Sequence, residues 1–185
     1  MRRVLVAVSG LLFRDFLDRV LGQLNWADAE LHLLHVVDAR PLREFGLAAA
    51  QLPGREERAS EHLRHMGVLG AEAGQKMLAE AEVIAGHRLP RGTAVRRWLR
   101  TGVPEHEIVA AAHETDATMI VLGAAEDPAG PPPHRHGEHA GPGGRPAPAR
   151  PEGPPKFARR HLTPTVRFVV DHAPCDVLLL YARKG

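Results

Sequence analysis

One stretch, residues 102–123 (GVPEHEIVAAAHETDATMIVLG), constrains the fold more than any other part of this chain. Pro104 suits the first turn of a helix, because the N–H that proline lacks would have no intrahelical partner there. From Ile108 onward, apolar residues recur at helical spacing and predict one apolar face. The apolar run 119–122 is typical of a parallel strand that is covered on both sides. The stretch therefore predicts a helix and a buried strand that ends at Gly123, at the edge where open α/β sheets bind ligands.

Four other segments complete a predicted sheet of five strands. Residues 3–8 form an apolar, β-branched run, residues 31–37 form the second predicted strand, and the segment between them carries apolar residues at helical spacing. A strand–helix–strand order without a hairpin signal predicts a right-handed parallel crossover. Residues 94–100 and 177–181 supply the remaining two strands. We therefore predict an α/β fold, with helices on both faces of a doubly wound, five-stranded parallel sheet.

The long segment between the second and third predicted strands is Ala-rich and helical in pattern. One Pro-Gly break divides it into a short helix predicted over 42–52 and a long helix predicted over 55–85. The apolar face predicted for the long helix contains His62, Met66, Leu69, Ala73, Met77, Ala81 and Ile84. Gly67, Gly70 and Gly74 each weaken this helix by about 1 kcal/mol relative to Ala. They either allow a close approach of the helix to the sheet or loosen the segment.

The third predicted strand carries an unusual amount of charge. Arg96, Arg97 and Arg100 lie within its sequence AVRRWLR. Charge on a strand favours an edge position, because it discourages pairing with another sheet. A basic docking patch is the alternative interpretation. We favour edge protection, because runs of charge are most often solvated faces.

Residues 126–156 differ from the rest of the chain in composition. They are dominated by Pro and Gly and contain almost no large apolar side chain, so they cannot build a core. We predict a disordered insertion within a single domain that spans residues 1–185. Within it, His134, His136 and His139 (HRHGEH) have a spacing that can bind zinc, copper or nickel. We favour a solvated loop, because nothing nearby supplies the fixed partners that orient metal ligands.

Composition limits the possible partners and the compartment. The net charge is +2, which gives no strong electrostatic preference for nucleic acid or for an anionic membrane. The single cysteine, Cys175, excludes an internal disulfide and fits a reducing compartment. We interpret it as a small buried apolar residue. No apolar run is long enough to span a bilayer. We expect a cytoplasmic protein that binds neither nucleic acid nor membranes.

Three segments of the chain resemble the universal stress protein family. The first has the family's helix opening and its Asp before an apolar strand that ends in Gly. Its matching residues are Gly102, Pro104, Ile108, Asp116 and Gly123. The second and third are residues 31–38 (LHLLHVVD) and 172–180 (HAPCDVLLL). The resemblance implies the adenine nucleotide alpha hydrolase-like fold, with strand order 3-2-1-4-5. It also implies a homodimer that pairs through the last strand.

The resemblance further implies a nucleotide site, which this sequence matches only in part. Family members that bind nucleotide have a G-x-x-G motif after the fourth strand, whose glycines let backbone N–H groups approach phosphates. Gly123 matches the first glycine, but Glu126 stands at the second and would repel a phosphate. The Gly-Ser or Gly-Thr pair that opens the family's last helix aligns with Thr163-Pro164, and Pro164 has no N–H to offer.

Thr163 and Pro164 also have a simple structural role that does not depend on the family resemblance. Thr is a good N-cap and Pro a good first helical residue, so we expect Thr163 to cap its own helix. Thr165 follows in the first turn. The first strand also departs from the family pattern, because Ser9 stands where ATP-binding members usually have Asp. Val36, the matching position on the second strand, persists.

These departures favour a non-catalytic universal stress protein. In this hypothesis the chain is a dimeric, cytoplasmic stress-response or regulatory module that has lost ATP binding, requires no cofactor and acts through an unidentified protein partner. The alternative is an adenine-nucleotide-binding or weakly ATP-hydrolysing member with a rebuilt site. A third hypothesis is metal binding by the His-rich segment.

Overall fold

The computed structural model describes residues 1–10, 13–41, 44, 56–124 and 162–181 of the chain. In chain order, the main elements are β1 (Arg2–Ala7), α1 (Phe13–Gln23), β2 (Ala29–Asp38), α2 (Glu56–Arg88), β3 (Val95–Gly102), α3 (Pro104–Glu114), β4 (Met119–Ala124), α4 (Pro164–His172) and β5 (Asp176–Tyr181). The predicted insertion, and all of the predicted helix over 42–52 except residue 44, lie outside the described residues. Within the described ranges, no helix combines the length and apolar character needed to cross a membrane.

The five strands form one parallel sheet in the order β3-β2-β1-β4-β5. β1 is the central strand, and its Val4 lies opposite Leu31 of β2 and Met119 of β4. Both the predicted fold class and the predicted strand order are confirmed. Because all strands run in the same direction, their carboxyl ends meet at one edge of the sheet.

Helices cover both faces of the sheet, because successive strand residues point to opposite sides. On one face, α1 and α2 pack on the strands. That layer includes Val4, Val6, Leu17, Leu31, Leu33, Leu78 and Ala81. On the other face, α3 and α4 pack on the strands. That layer includes Leu5, Leu34, Ile108, Ile120, Val166 and Val169. Burying one such aliphatic side chain stabilises the fold by about 1.5–3 kcal/mol, so both layers contribute to stability.

The glycines of α2 differ in their surroundings. A Cβ atom on Gly74 would lie 2.6 Å from Cδ2 of His35, and one on Gly70 would lie 2.9 Å from Cγ1 of Val37. These two glycines therefore allow α2 to approach β2 closely. A Cβ atom on Gly67 would meet nothing within 4 Å. Close approach, the first of the two interpretations, thus applies to Gly70 and Gly74 and does not apply to Gly67.

The predicted apolar face of α2 is wrong in the first half of the helix. Met66 is 46% exposed and Leu69 is 45% exposed. The buried positions are Gly74, Leu78, Ala81 and Ala85. Gly70 packs near the carboxyl end of β2, so the preceding turns extend beyond the strand and have no sheet surface beneath them.

β3 lies at an edge of the sheet, as its charge predicts. Each of its three arginines pairs with a carboxylate from a neighbouring element. Arg96 pairs with Glu30 of β2, Arg97 with Glu82 of α2, and Arg100 with Glu107 and Glu114 of α3. These local ion pairs neutralise the arginines and support edge protection over a basic docking patch.

Candidate ligand site at the carboxyl edge of the sheet

Ser9 lies just beyond β1 at the carboxyl edge and is exposed. The chain is held against β2 up to the residue before it. The N–H of Val8 donates to the carbonyl of Leu34 at 2.8 Å, and Nδ1 of His35 donates to the carbonyl of Val8 at 2.9 Å. The structure therefore places Ser9 at the predicted edge, where it offers a hydroxyl group and no negative charge.

Val36 and Gly123 lie on opposite faces of this edge. Val36 of β2 packs against the core layer formed by α3 and α4. A Cβ atom on Gly123 of β4 would lie 3.6 Å from Cδ2 of Phe16 in α1, which belongs to the other layer. The structure thus brings the two positions to the same end of the sheet without bringing them to one face. A ligand that touched both would have to lie across the strand ends.

Thr163 caps α4, as predicted. Its side-chain oxygen accepts a hydrogen bond from the N–H of Val166 at 3.4 Å, and Pro164 is the first helical residue. The carbonyl of Thr163 also accepts from the N–H of Arg167 at 2.9 Å. The hydroxyl that would face a phosphate in the resembled site therefore satisfies a donor of its own helix.

Thr165 joins a chain of polar contacts across the same edge. Its hydroxyl donates to Oε2 of Glu105, in the first turn of α3, at 3.1 Å. Oε1 of Glu105 accepts from Nη1 of Arg40 at 3.2 Å. Nη2 of Arg40 donates to Oδ2 of Asp38 at 2.7 Å, and its Nε lies 3.0 Å from both oxygens of that carboxylate. We call Asp38, Arg40, Glu105 and Thr165 the edge clasp, because they link the end of β2 to the first turns of α3 and α4.

The edge clasp has a net negative charge, since Asp38 and Glu105 are carboxylates and only Arg40 is a cation. The Arg40 guanidinium beside Asp38 holds the pKa of that carboxyl below its usual value, and Asp38 raises the pKa of Arg40 in turn. Both groups are therefore charged near neutral pH. The hydroxyl of Thr165 and the guanidinium of Arg40 could each bind an anion. Instead, both are engaged by carboxylates of the chain itself.

The sequence reasoning missed Arg40 and Asp38, and it used Glu105 only as a favourable charge at a helix start. The motif DAR at the end of β2 shows that an acidic and a basic residue are close in sequence. It does not show that Glu105, far along the chain, completes the contact. The strand order supplied a partial signal, because it predicts that the end of β2 and the starts of the later helices share one edge.

The other predicted site residues give a mixed outcome. Glu126, His134, His136 and His139 lie outside the described residues. Within the part of the chain that the structure describes, no three His, Cys, Asp or Glu side chains form a group that could hold a metal ion. Cys175 is half-buried, and burial raises the pKa of its thiol, which agrees with a structural apolar role.

The solved structures that resemble this chain share its whole fold at low sequence identity. Hypothetical protein MJ0577 is 16% identical, with a TM-score of 0.61 over 100% of this chain and 98% of that chain. Universal stress protein UspA from Lactobacillus plantarum is 20% identical, with a TM-score of 0.51 over 97% of each chain. A universal stress protein from Arabidopsis thaliana with AMP bound is 14% identical, with a TM-score of 0.51 over 99% of this chain and 93% of that chain.

Sequence comparison gives a second, independent result. No curated protein sequence matches the chain. The sequence profile of the universal stress protein family, however, matches residues 1–130, which include β1 to β4. The structure adds α4 and β5, which complete the sheet that the solved relatives share. This chain belongs to the universal stress protein family.

Proposed function

We propose that this chain is a non-catalytic universal stress protein, a dimeric stress-response or regulatory module that acts through protein contacts and has lost ATP binding. The observation that carries the proposal is the hydrogen bond from Thr165 to Glu105 at 3.1 Å. It engages a hydroxyl in the first turn of α4, where a phosphate would otherwise be attracted by the helix N-terminus. It also holds a carboxylate at that position, which repels phosphate.

Three further features support the loss of nucleotide binding. Thr163 caps its own helix, and Pro164 contributes no N–H. Ser9 supplies no carboxylate beyond β1 for ribose or a metal ion. Arg40, a cation at this edge, is paired with Asp38 and Glu105. A nucleotide would therefore have to displace existing contacts before it could use these groups.

The alternative is an adenine-nucleotide-binding member with a rebuilt site. It is favoured by relatives of the same fold, one of which was solved in complex with cAMP at a TM-score of 0.54 and another with AMP bound at a TM-score of 0.51. In this alternative, Arg40 would exchange a carboxylate for a phosphate. The net negative charge of the edge clasp argues against that exchange.

A thermal shift assay with millimolar MgATP separates the two functions. A ligand at 100 times its dissociation constant stabilises the folded state by about 2.7 kcal/mol. For a chain of this size, an affinity of about 10 μM would raise the melting temperature by about 5–10 °C. We expect a shift below about 1 °C. A large, reproducible shift, or adenine nucleotide released when the purified protein is denatured, would contradict the proposal. The Arabidopsis relative solved with AMP, tested with AMP, is the positive control for the assay.

The protein contacts that we propose include a homodimer through β5. This strand is the edge opposite β3, and Leu178 and Leu179 are only half-buried there. An apolar edge strand invites pairing, and a two-fold axis allows two copies to satisfy each other. A cytoplasmic location, expected from the single cysteine, also remains part of the proposal.

A further inference from the structure

A second polar cluster lies on the face covered by α3 and α4, in the half of the sheet away from the carboxyl edge. It is formed by Glu30 and His32 of β2 with Arg96 and Trp98 of β3, and we call it the β2–β3 cluster. Glu30 is 5% exposed and His32 is 4% exposed. A buried carboxylate and a buried imidazole are uncommon unless their hydrogen bonds are satisfied. Their contacts therefore determine which protonation states the fold accepts.

The hydrogen bond between Trp98 and His32 fixes the tautomer of the imidazole. Nε1 of Trp98 lies 3.0 Å from Nδ1 of His32. The indole N–H can only donate, so Nδ1 must carry a lone pair and the ring proton of neutral His32 must be on Nε2. Nε2 lies 3.5 Å from Oε2 of Glu30, and among the described residues it has no hydrogen-bond partner.

Protonation of His32 is incompatible with this arrangement. The imidazolium ion has a hydrogen on both ring nitrogens, so Nδ1–H would point at the N–H of Trp98. Two donors cannot remain 3.0 Å apart in a buried contact. The two rings are also nearly parallel, with an interplanar angle of 19° and centroids 6.0 Å apart. The charged form therefore requires the contact between Trp98 and His32 to break.

His35 provides a contrast on the same strand. Its Nδ1 lies 2.9 Å from the carbonyl oxygen of Val8, which can only accept. Nδ1 of His35 therefore carries a hydrogen in the neutral ring, and it keeps that hydrogen when the ring is protonated. Protonation preserves the His35 contact and breaks the His32 contact, although both histidines are on β2.

The charges around His32 come from each element that packs near it. On its own strand, Glu30 favours the imidazolium ion, but Arg96 of β3 pairs with that carboxylate and Arg3 of β1 lies 3.9 Å from it. Asp116, after α3, pairs with Arg3 at 3.1 Å. The carboxylates of α3 that face β3 are Glu107 and Glu114, and both pair with Arg100.

Burial is the main reason that the pKa of His32 is lowered from 6.5, and Glu30 opposes that shift. Because the folded-state pKa is the lower one, the unfolded chain binds the proton more readily. This histidine therefore contributes stability above pH 6.5 that is lost as the pH falls toward its folded-state pKa. Arg96 holds the pKa of Glu30 below 4.5, so the stability that this carboxylate contributes is lost only as the pH falls below 4.5.

We propose that the hydrogen bond between Trp98 and His32 is an acid-sensitive latch on the edge strand β3. When the latch opens, β3 loses one of its side-chain attachments to β2, and the ion pair between Arg96 and Glu30 remains. The consequence extends to α3, because the guanidinium of Arg100 lies 6.0 Å from the centroid of the Trp98 ring and is paired with two carboxylates of α3. β3 is an edge strand, so in the described sheet it is held by β2 alone, as β5 is held by β4 alone.

The latch is tested by NMR on the full chain from pH 7.5 down to the onset of acid unfolding. We expect the indole N–H resonance of Trp98 to move with a midpoint below pH 6.5, and that of Trp26 to stay fixed because it donates to the carbonyl of Leu21. Amide protection factors, corrected for intrinsic exchange, should fall in β3 relative to β4. The fall is limited to roughly tenfold per pH unit for one proton. A Trp98 resonance that does not move, or equal changes in β3 and β4, would overturn the proposal.

Two matched substitutions on β2 assign the effect to one histidine. In His32→Asn, the amide oxygen can take the acceptor position of Nδ1 at every pH, so we expect the pH dependence of β3 protection to disappear. In His35→Asn, we expect that pH dependence to remain. If His32→Asn kept the wild-type pH dependence, or if His35→Asn abolished it, the latch would be rejected. Should either variant fail to fold, the wild-type titration still decides the question. The latch is independent of whether the carboxyl edge binds nucleotide.

Discussion

Gly74 holds α2 close to the sheet because a side chain has no room at this position. In Gly74→Ala, the new Cβ atom would lie 2.6 Å from Cδ2 of His35 and 2.7 Å from Cδ1 of Leu99. Overpacking of this kind costs about 1–3 kcal/mol, which exceeds the gain of about 1 kcal/mol in helix propensity. We expect a lower free energy of unfolding, measured with urea. The matched control is Gly67→Ala, where the space is open and we expect stabilisation by about 0.5–1 kcal/mol. Equal effects of the two substitutions would contradict this account.

The pair formed by Asp38 and Arg40 gives a prediction for acid titration. In the wild-type protein, the pKa of Asp38 should be below 3.8, and Arg40→Gln should raise it. The stability that this carboxylate contributes is present above pH 3.8 and is lost as the pH falls through its folded-state pKa. Because the two side chains are 34% and 43% exposed, the loss of stability at neutral pH should be small. Carboxyl ¹³C shifts measure the titration.

The control for this titration is Arg14→Gln. Arg14 pairs with Glu80 on the surface, so its removal should leave the pKa of Asp38 unchanged. If both substitutions raised that pKa by the same amount, the effect would come from net charge and not from the contact with Arg40.

Single residues of the candidate site were predictable when their roles are local. Thr163 could be assigned as a cap because the signal is contained in two adjacent residues. The role of Arg40 could not be predicted, because its partner Glu105 becomes a neighbour only after β2, β3 and α3 have packed. His32 is a similar case, since only the pairing of β2 with β3 brings Trp98 to its ring.

At the scale of elements, the start of α4 depends on one hydrogen bond. Thr163→Ala removes the oxygen that accepts from the N–H of Val166, and loss of an N-cap costs about 1 kcal/mol. We expect a lower melting temperature, measured by circular dichroism. Thr163→Ser keeps the hydroxyl group and should stay close to wild type. An alanine variant as stable as the serine variant would show that the cap contributes nothing.

Strands were predicted better than the long helix. The predicted ends of the five strands lie within two residues of those observed, and the clearest signals are the continuous apolar runs of β1 and β4, which are buried on both faces. The face of α2 was wrong around Met66 and Leu69, which are exposed. Periodicity identifies an apolar stripe, but it does not show where the sheet beneath the helix ends. The glycines marked the contact more accurately, because close packing requires them.

At the scale of the whole molecule, the two edges of the sheet differ in character. The edge strand β3 carries Arg96, Arg97 and Arg100, each held by a carboxylate. The edge strand β5 has the sequence DVLLLY and no charge after its first residue. Charge protects an edge from pairing, and an apolar edge invites it. The contrast predicts that association between copies uses β5 and leaves β3 free.

We therefore expect a homodimer through β5, with a mass of twice 20.1 kDa by light scattering during gel filtration. Leu179→Lys places a charge on this strand and should shift the protein toward monomer. The control is Thr101→Lys on the exposed part of β3, which should leave the dimer intact. Because Leu179 also packs against the core layer of α3 and α4, circular dichroism must show that the variant is folded.

A second measurement needs no variant, since the melting temperature of a dimer rises with protein concentration. A wild-type monomer at micromolar concentration, with a melting temperature independent of concentration, would refute pairing through β5.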